Sequence, residues 1–419
     1  MVSRDVNGLI VRPSLPALTD TYNIYVVYGQ SNSNGTSALR SVSTSDTTFG
    51  AIRQFGADGR SRRDGTNSWC DLAAGAATYD FSTTPAGIQN EPFSVYLRET
   101  VAYKALQIVN DREVSRNNRR HQGHVTLHGH TALTYAQLAK GTNRYTDLIN
   151  GVTRLYNLLV AEGKTNIVIR GLIWVHGEAA FASSGSGYAA NLLTLYNDTN
   201  TDFKVITGQV SDIPMFITQQ SNFSVSGYAG SIAYPVLDQL QAHIDNPGKI
   251  ILSGPMYSGA TIGSGNLHYY GHQTTRWAAP VGHAISKVNV DGGTWEPIRP
   301  RTVTRNSNIV DIEFYVPSGS LVLDTTYVTN TADGFYGFDF VQTGGSTTLT
   351  SVSLLNSTTV RFTLSGAPNG TSPRIRAGRN PNGAAATAGP TTGARTCLRD
   401  QQDTLPEFCN WCVHFDQAV

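Results

Sequence analysis

In the stretch IYVVYGQSNSNG, residues 24–35, a run of β-branched and aromatic residues ends at Gly29 and gives way at once to small polar ones. The pattern predicts a buried strand closing in a tight turn, with Ser31 on the turn. A serine so placed presents its hydroxyl at the carboxyl end of a strand, close to backbone N–H groups, as a nucleophile for acyl transfer requires. An ordinary strand-to-loop turn has the same composition, so the rest of the chain must decide between them. Later strand-like runs also end in polar turns: GHT at 129–131, HGE at 176–178, and the segment leading to His268. Cys409 and Cys412 form a CxxC, but with Cys397 and His414 the spacing fits no standard zinc ribbon or finger, and buried thiols are the simpler reading. There is no phosphate loop, paired metal-binding histidines or dinucleotide fingerprint, so no cofactor and no metal are implied.

The elements that must position these turns alternate regularly. After the first strand come about sixty residues rich in Ser, Thr, Gly and Arg, a loop long enough to be functional and expected beside Ser31. Leu97, Val101, Ala105 and Ile108 then recur at helical spacing, followed by a strand at 124–127; Leu148, Val152, Leu155 and Leu159 mark a helix, followed by a strand at 166–174. Helices at 188–196, 232–244 and 270–288 and strands at 214–218 and 249–252 complete the series. Such alternation predicts right-handed crossovers and a doubly wound, flavodoxin-like α/β domain with a mostly parallel five-stranded sheet. Ligands bind such sheets beyond the carboxyl ends of the strands, where the four turns would converge.

Beyond Trp295 the period changes from helical to two. Val310, Ile312, Phe314 and Val316 alternate with more polar neighbours, and Val360, Phe362 and Leu364 repeat the pattern among Ser, Thr and Gly turns, predicting a β-sandwich domain inserted in or appended to the first near the C-terminus. The expected divisions are a lead-in at 1–20, the α/β domain at 21–292, the β-sandwich at 293–385 and a tail at 386–419. The tail follows a low-complexity stretch at 378–392, and its LPEFCNWCVHF segment carries aromatics and cysteines that call for burial against the α/β domain.

With 419 residues, a formal net charge of +1 and 15% charged residues, the chain offers no broad basic field for nucleic acid. No stretch approaches a membrane span and the start lacks the apolar core of a signal peptide, so a soluble protein is expected. Four cysteines are too few for a disulfide scaffold at this length.

Four blocks carry a resemblance: YGQSN around Ser31, LHGHTALTYAQLAKG at 127–141, WVHGE at 174–178 and NLHYYGH at 266–272. In order and character they resemble the SGNH hydrolases, most of all the sialate O-acetylesterase branch, over about residues 22–290. The resemblance implies Ser31 as nucleophile, His268 as its base and the backbone of Ser31 and Gly129 as oxyanion donors, with Gln30 and Asn32 beside them. Where the family carries a donor glutamine this chain has His176, whose imidazole can still give one hydrogen bond. Where the family has an acid two residues before the histidine, this chain has Asn266. Either a Ser–His dyad is oriented by Asn266, or a carboxylate from elsewhere, Glu178 being the obvious one, fills the place; Glu178 as a purely structural residue is the alternative. The implied function is removal of O-acetyl groups from a glycan, such as a bacterial surface polysaccharide, by a serine esterase. The tail also resembles the ends of bacteriophage tail proteins carrying such domains, which implies a virion location, other tail proteins as partners and a possible homo-oligomer. The rival readings are a non-catalytic glycan-binding protein and a structural tail adaptor.

Overall fold

A computed structural model describes residues 3–4, 10–11, 17–34, 52–55, 69–71, 100–130, 133–178, 187–221, 234–261, 267–269, 271–378 and 389–419. The first long strand, β1 (Tyr22–Gly29), is buried from Asn23 onward, as its unbroken apolar sequence requires of a strand covered on both faces. Two short strands follow, β2 (Ile52–Phe55) and β3 (Trp69–Asp71), then α1 (Val101–Asn117), β4 (Gly123–Gly129), α2 (Asn143–Ala161), β5 (Ile167–Val175), α3 (Tyr188–Thr207), β6 (Met215–Gln219), α4 (Tyr234–Asp245), β7 (Ile250–Pro255) and α5 (Gly271–Ile285).

The sheet order is β7-β6-β5-β1-β4-β2-β3. The five strands expected from the sequence, β1, β4, β5, β6 and β7, are all parallel, and β1 lies at the centre between β4 and β5, where the winding reverses. Two strands not foreseen extend the sheet: β2 runs parallel to β4 and β3 antiparallel to β2. They come from the long segment after Ser31, whose other residues lie outside those described.

The period-two alternation of β1 sorts its side chains between two cores. Ile24, Val26 and Tyr28 face Leu148, Leu155, Leu192 and Leu195 of α2 and α3, whereas Tyr25 and Val27 face Ala105 and Val109 of α1 and Trp277 and Val281 of α5. The first of these cores runs on without a break into the C-terminal β region.

That region holds two antiparallel sheets. One is built from β8 (Pro300–Asn306), β9 (Ile309–Phe314), β12 (Leu349–Leu354) and β13 (Thr359–Leu364) in the order β8-β9-β13-β12. The other joins β11 (Phe338–Thr343), β14 (Thr371–Ala377) and β16 (Phe415–Ala418). Phe338 packs edge-on against Phe362 with centroids 5.2 Å apart, joining the two sheets as a sandwich. A small pair, β10 (Val322–Leu323) with β15 (Leu398–Arg399), ties the tail to this region. The tail therefore supplies the last strand of the second sheet, while Trp411, just before it, lies between Tyr257 of the α/β region and Tyr327 of the β region, at 6.3 and 5.8 Å. Most of the low-complexity stretch, 379–388, lies outside the described residues.

Candidate active site

The turn after β1 is shaped by the lack of a side chain at Gly29. Its φ is +139°, and a Cβ there would stand 2.1 Å from the Val175 carbonyl oxygen. That close approach lets the Gln30 N–H reach the same carbonyl at 2.8 Å, pinning the start of the turn to the end of β5. A single 3-10 turn follows, Ser31–Asn34, closed by Ser33 N–H and Oγ to the Gln30 carbonyl. Ser31 thus stands at the carboxyl edge of the sheet beside the switch point.

Across from it is His268. Its Nε2 lies 2.7 Å from Ser31 Oγ, although 237 positions separate the two in sequence. A neutral imidazole accepting there can take the serine proton, the arrangement a general base needs. His268 is held by Tyr269, which is buried against Trp277 and bridges to Thr261. Asn266 lies outside the described residues.

Glu178 is buried, and its Oε1 accepts from Asn32 Nδ2 at 2.7 Å; it makes no hydrogen bond to His268. Burial pushes its carboxyl above the usual carboxylate range, an effect that the hydrogen bond from Asn32 opposes. The same Asn32 nitrogen donates to the Leu267 carbonyl at 3.1 Å. Gln30 also turns inward: its Oε1 accepts from the Gly177 N–H at 3.1 Å. Gly129 ends β4 directly opposite Gly29.

His176 has both ring nitrogens engaged. Nε2 lies 3.1 Å from the Leu133 carbonyl, which only accepts, so the ring proton is on Nε2; Nδ1 then accepts from the Tyr188 hydroxyl at 2.6 Å, and that hydroxyl accepts from Trp174 Nε1 at 3.2 Å. Burial lowers the His176 pKa to about 4, so near neutrality it is uncharged. Its one N–H is therefore given to Leu133 and not to the space beside Ser31. Sequence reasoning missed Tyr188, Leu133 and Leu267 as partners. Tyr188 opens the helix after the HGE turn, a weak signal, and a backbone carbonyl leaves no signal in a motif.

His128 pairs with Thr126 at 2.9 Å. Cys397, Cys409 and Cys412 are buried free thiols, and burial pushes Cys397 up to about 12. Among the described residues no group of three or more His, Cys, Asp or Glu is placed to hold a metal ion, and no helix is long and apolar enough to cross a membrane.

No family model and no curated protein matches the chain. Among solved structures it is similar to a carbohydrate acetylesterase from Xanthomonas citri, with a TM-score of 0.55 and 13% identity over 94% of this chain and 80% of that one. A protein from Arabidopsis thaliana aligns over 63% of this chain and 98% of its own at 13% identity, with a TM-score of 0.40, too low to carry an argument. At such identities the first likeness is one of fold. It covers nearly the whole chain, so this protein shares its α/β fold with that structure over most of its length.

Proposed function

We propose that this protein is an SGNH-type serine esterase that removes O-acetyl groups from a carbohydrate through an acyl-enzyme. The observation that carries the reading is the 2.7 Å contact between Ser31 Oγ and His268 Nε2 at the carboxyl edge of the sheet, beside the switch point. Ser31 attacks the acetyl carbonyl as its proton passes to Nε2 of His268, and the N–H groups of Ser31 and Gly129 take the charge on the tetrahedral oxygen. The C–O bond to the sugar breaks, His268 returns the proton to the departing sugar oxygen, and acetate leaves after water attacks the acetyl-serine by the reverse sequence.

For the third member, the engagement of Glu178 with Asn32 supports a Ser–His dyad steadied by Asn266. The location on a bacteriophage tail particle, with an acetylated bacterial polysaccharide as substrate, draws on the resemblance of the sequence blocks and of the tail. Detection of the chain in purified virions tests the location. A second reading, glycan binding without turnover, draws on the N–H of His176 being given to Leu133.

Hydrolysis of p-nitrophenyl acetate by the full chain separates the two readings. Ser31→Ala is expected to lower kcat by on the order of a million-fold with the circular dichroism spectrum unchanged. Equal turnover by the variant overturns the esterase assignment. Asn266→Asp, which supplies the charge that a triad acid would bring, is expected to raise kcat; a fall speaks against Asn266 as the group that orients the imidazole.

A further inference from the structure

We propose that Asn32 is a positioning residue, whose side-chain amide ties the turn carrying the nucleophile to the end of β5 and to the loop carrying the base. An amide nitrogen has two hydrogens, and Asn32 Nδ2 has two acceptors, Glu178 Oε1 at 2.7 Å and the Leu267 carbonyl at 3.1 Å. Both side-chain donors are thus used inside the protein.

Each end of the tie is placed to matter. Asn32 follows the nucleophile directly in the chain, and Leu267 directly precedes the base, so the link spans the pair at a distance of one peptide from each. On its far side the histidine loop is anchored by the Thr261–Tyr269 bridge and the packing of Tyr269 on Trp277. Asn32 adds a side-chain bond to the backbone of this loop on the side of Ser31, beside the Ser31–His268 contact itself. A misplacement of about 1 Å between reacting groups can cost on the order of a hundred-fold in rate, so a tie at this point bears on kcat.

Glu178 fits the same scheme. It offers Asn32 a lone pair, and burial makes the charged form of its carboxyl costly. Its contribution is therefore that of an acceptor that fixes the rotamer of Asn32, a task a neutral amide oxygen can perform, and not that of a charge beside the imidazole.

The kinetic part of this inference rests on the esterase reading; the structural part does not. Asn32→Asp keeps the shape of the side chain and removes both donors, and Asn32→Ala is the second variant should the first not fold. Both are expected to lower kcat on p-nitrophenyl acetate by tenfold to a thousand-fold, by analogy with misaligned catalytic pairs, with KM changed less than threefold. Glu178→Ala is expected to match them, and Glu178→Gln to recover most of the loss by keeping an acceptor. In parallel, 15N-histidine NMR of the full chain reads the His268–Ser31 hydrogen bond without any turnover, and its Nε2 resonance is expected to move in Asn32→Asp and Glu178→Ala but little in Glu178→Gln. Absence of turnover in the unaltered chain overturns the esterase reading and leaves the NMR result to decide on the tie. A full kcat and an unmoved His268 resonance in Asn32→Asp overturn the proposal, as does a Glu178→Gln variant as impaired as Glu178→Ala.

Discussion

The single ring proton of His176 goes to the Leu133 carbonyl, and the neutral ring is locked between that carbonyl and the Tyr188 hydroxyl. A histidine held at about 4 in the folded chain and at the ordinary 6.5 in the unfolded one binds fewer protons when folded. Its contribution to stability is therefore complete above pH 6.5 and is lost as pH falls through 4, by on the order of 3 kcal/mol. Burial lowers His121, His283 and His414 in the same direction, so the chain is expected to weaken steeply over that window. Urea denaturation at pH 7 and pH 4.5 checks this. His176→Phe is expected to be less stable at pH 7 by about 2 to 4 kcal/mol, because the Tyr188 hydroxyl and Leu133 carbonyl lose a buried partner, yet to lose less stability on acidification. An equal loss on acidification in both proteins would show that folding does not lower the His176 pKa.

The elements around the site are brought to close approach by two glycines. Gly29 leaves room for the Val175 carbonyl, and Gly177, at φ +146°, leaves room for the Gln220 side chain, whose Oε1 would lie 1.8 Å from a Cβ. An alanine at either position meets both a backbone conformation that L-residues avoid and a collision. Gly29→Ala is expected to cost about 3 kcal/mol or more and to remove esterase activity, because the strand and the turn must separate to admit the methyl group. Denaturant titration with a parallel ester assay tests this; a variant within about 1 kcal/mol of the parent, in line with relief of backbone entropy alone, would speak against the close contact.

On the scale of the whole molecule, the tail joins the two regions into one unit. Trp411 is buried between Tyr257 and Tyr327, Gln219 at the end of β6 both donates to the carbonyl and accepts from the N–H of His414, and His283 of α5 pairs with Asn410 at 3.0 Å. The hydrophobic core continues from the sheet into the sandwich beside them. Trp411→Ala is therefore expected to lose about 3 to 5 kcal/mol and to lower a single thermal transition of the entire chain. Two well-separated calorimetric transitions in the parent protein would show that the regions unfold independently.

Periodicity made the α/β alternation legible from the sequence alone. Leu148, Val152, Leu155 and Leu159 form the buried stripe of α2, and the turns after β1, β4 and β5 could be placed because strand ends are marked by neighbouring residues. The blocks of the resemblance also set Ser31 opposite His268. The partners of Asn32 and His176 were not legible. Glu178 is 146 positions from Asn32 and Leu267 is 235, and nothing within a local window of sequence encodes which distant acceptor a side chain will find. Strands β2 and β3 escaped notice for a related reason: short segments in a Ser-, Thr- and Gly-rich loop have weak intrinsic preference, and pairing of β2 with the edge of β4, and of β3 with β2, decides their conformation. Local side-chain order thus determined the long helices and the five central strands and where they end. The choice of hydrogen-bond partners, and with it which polar residues are left to face a substrate, was decided only when the strand ends and loops packed together and buried donors such as Asn32 Nδ2 met the acceptors within reach.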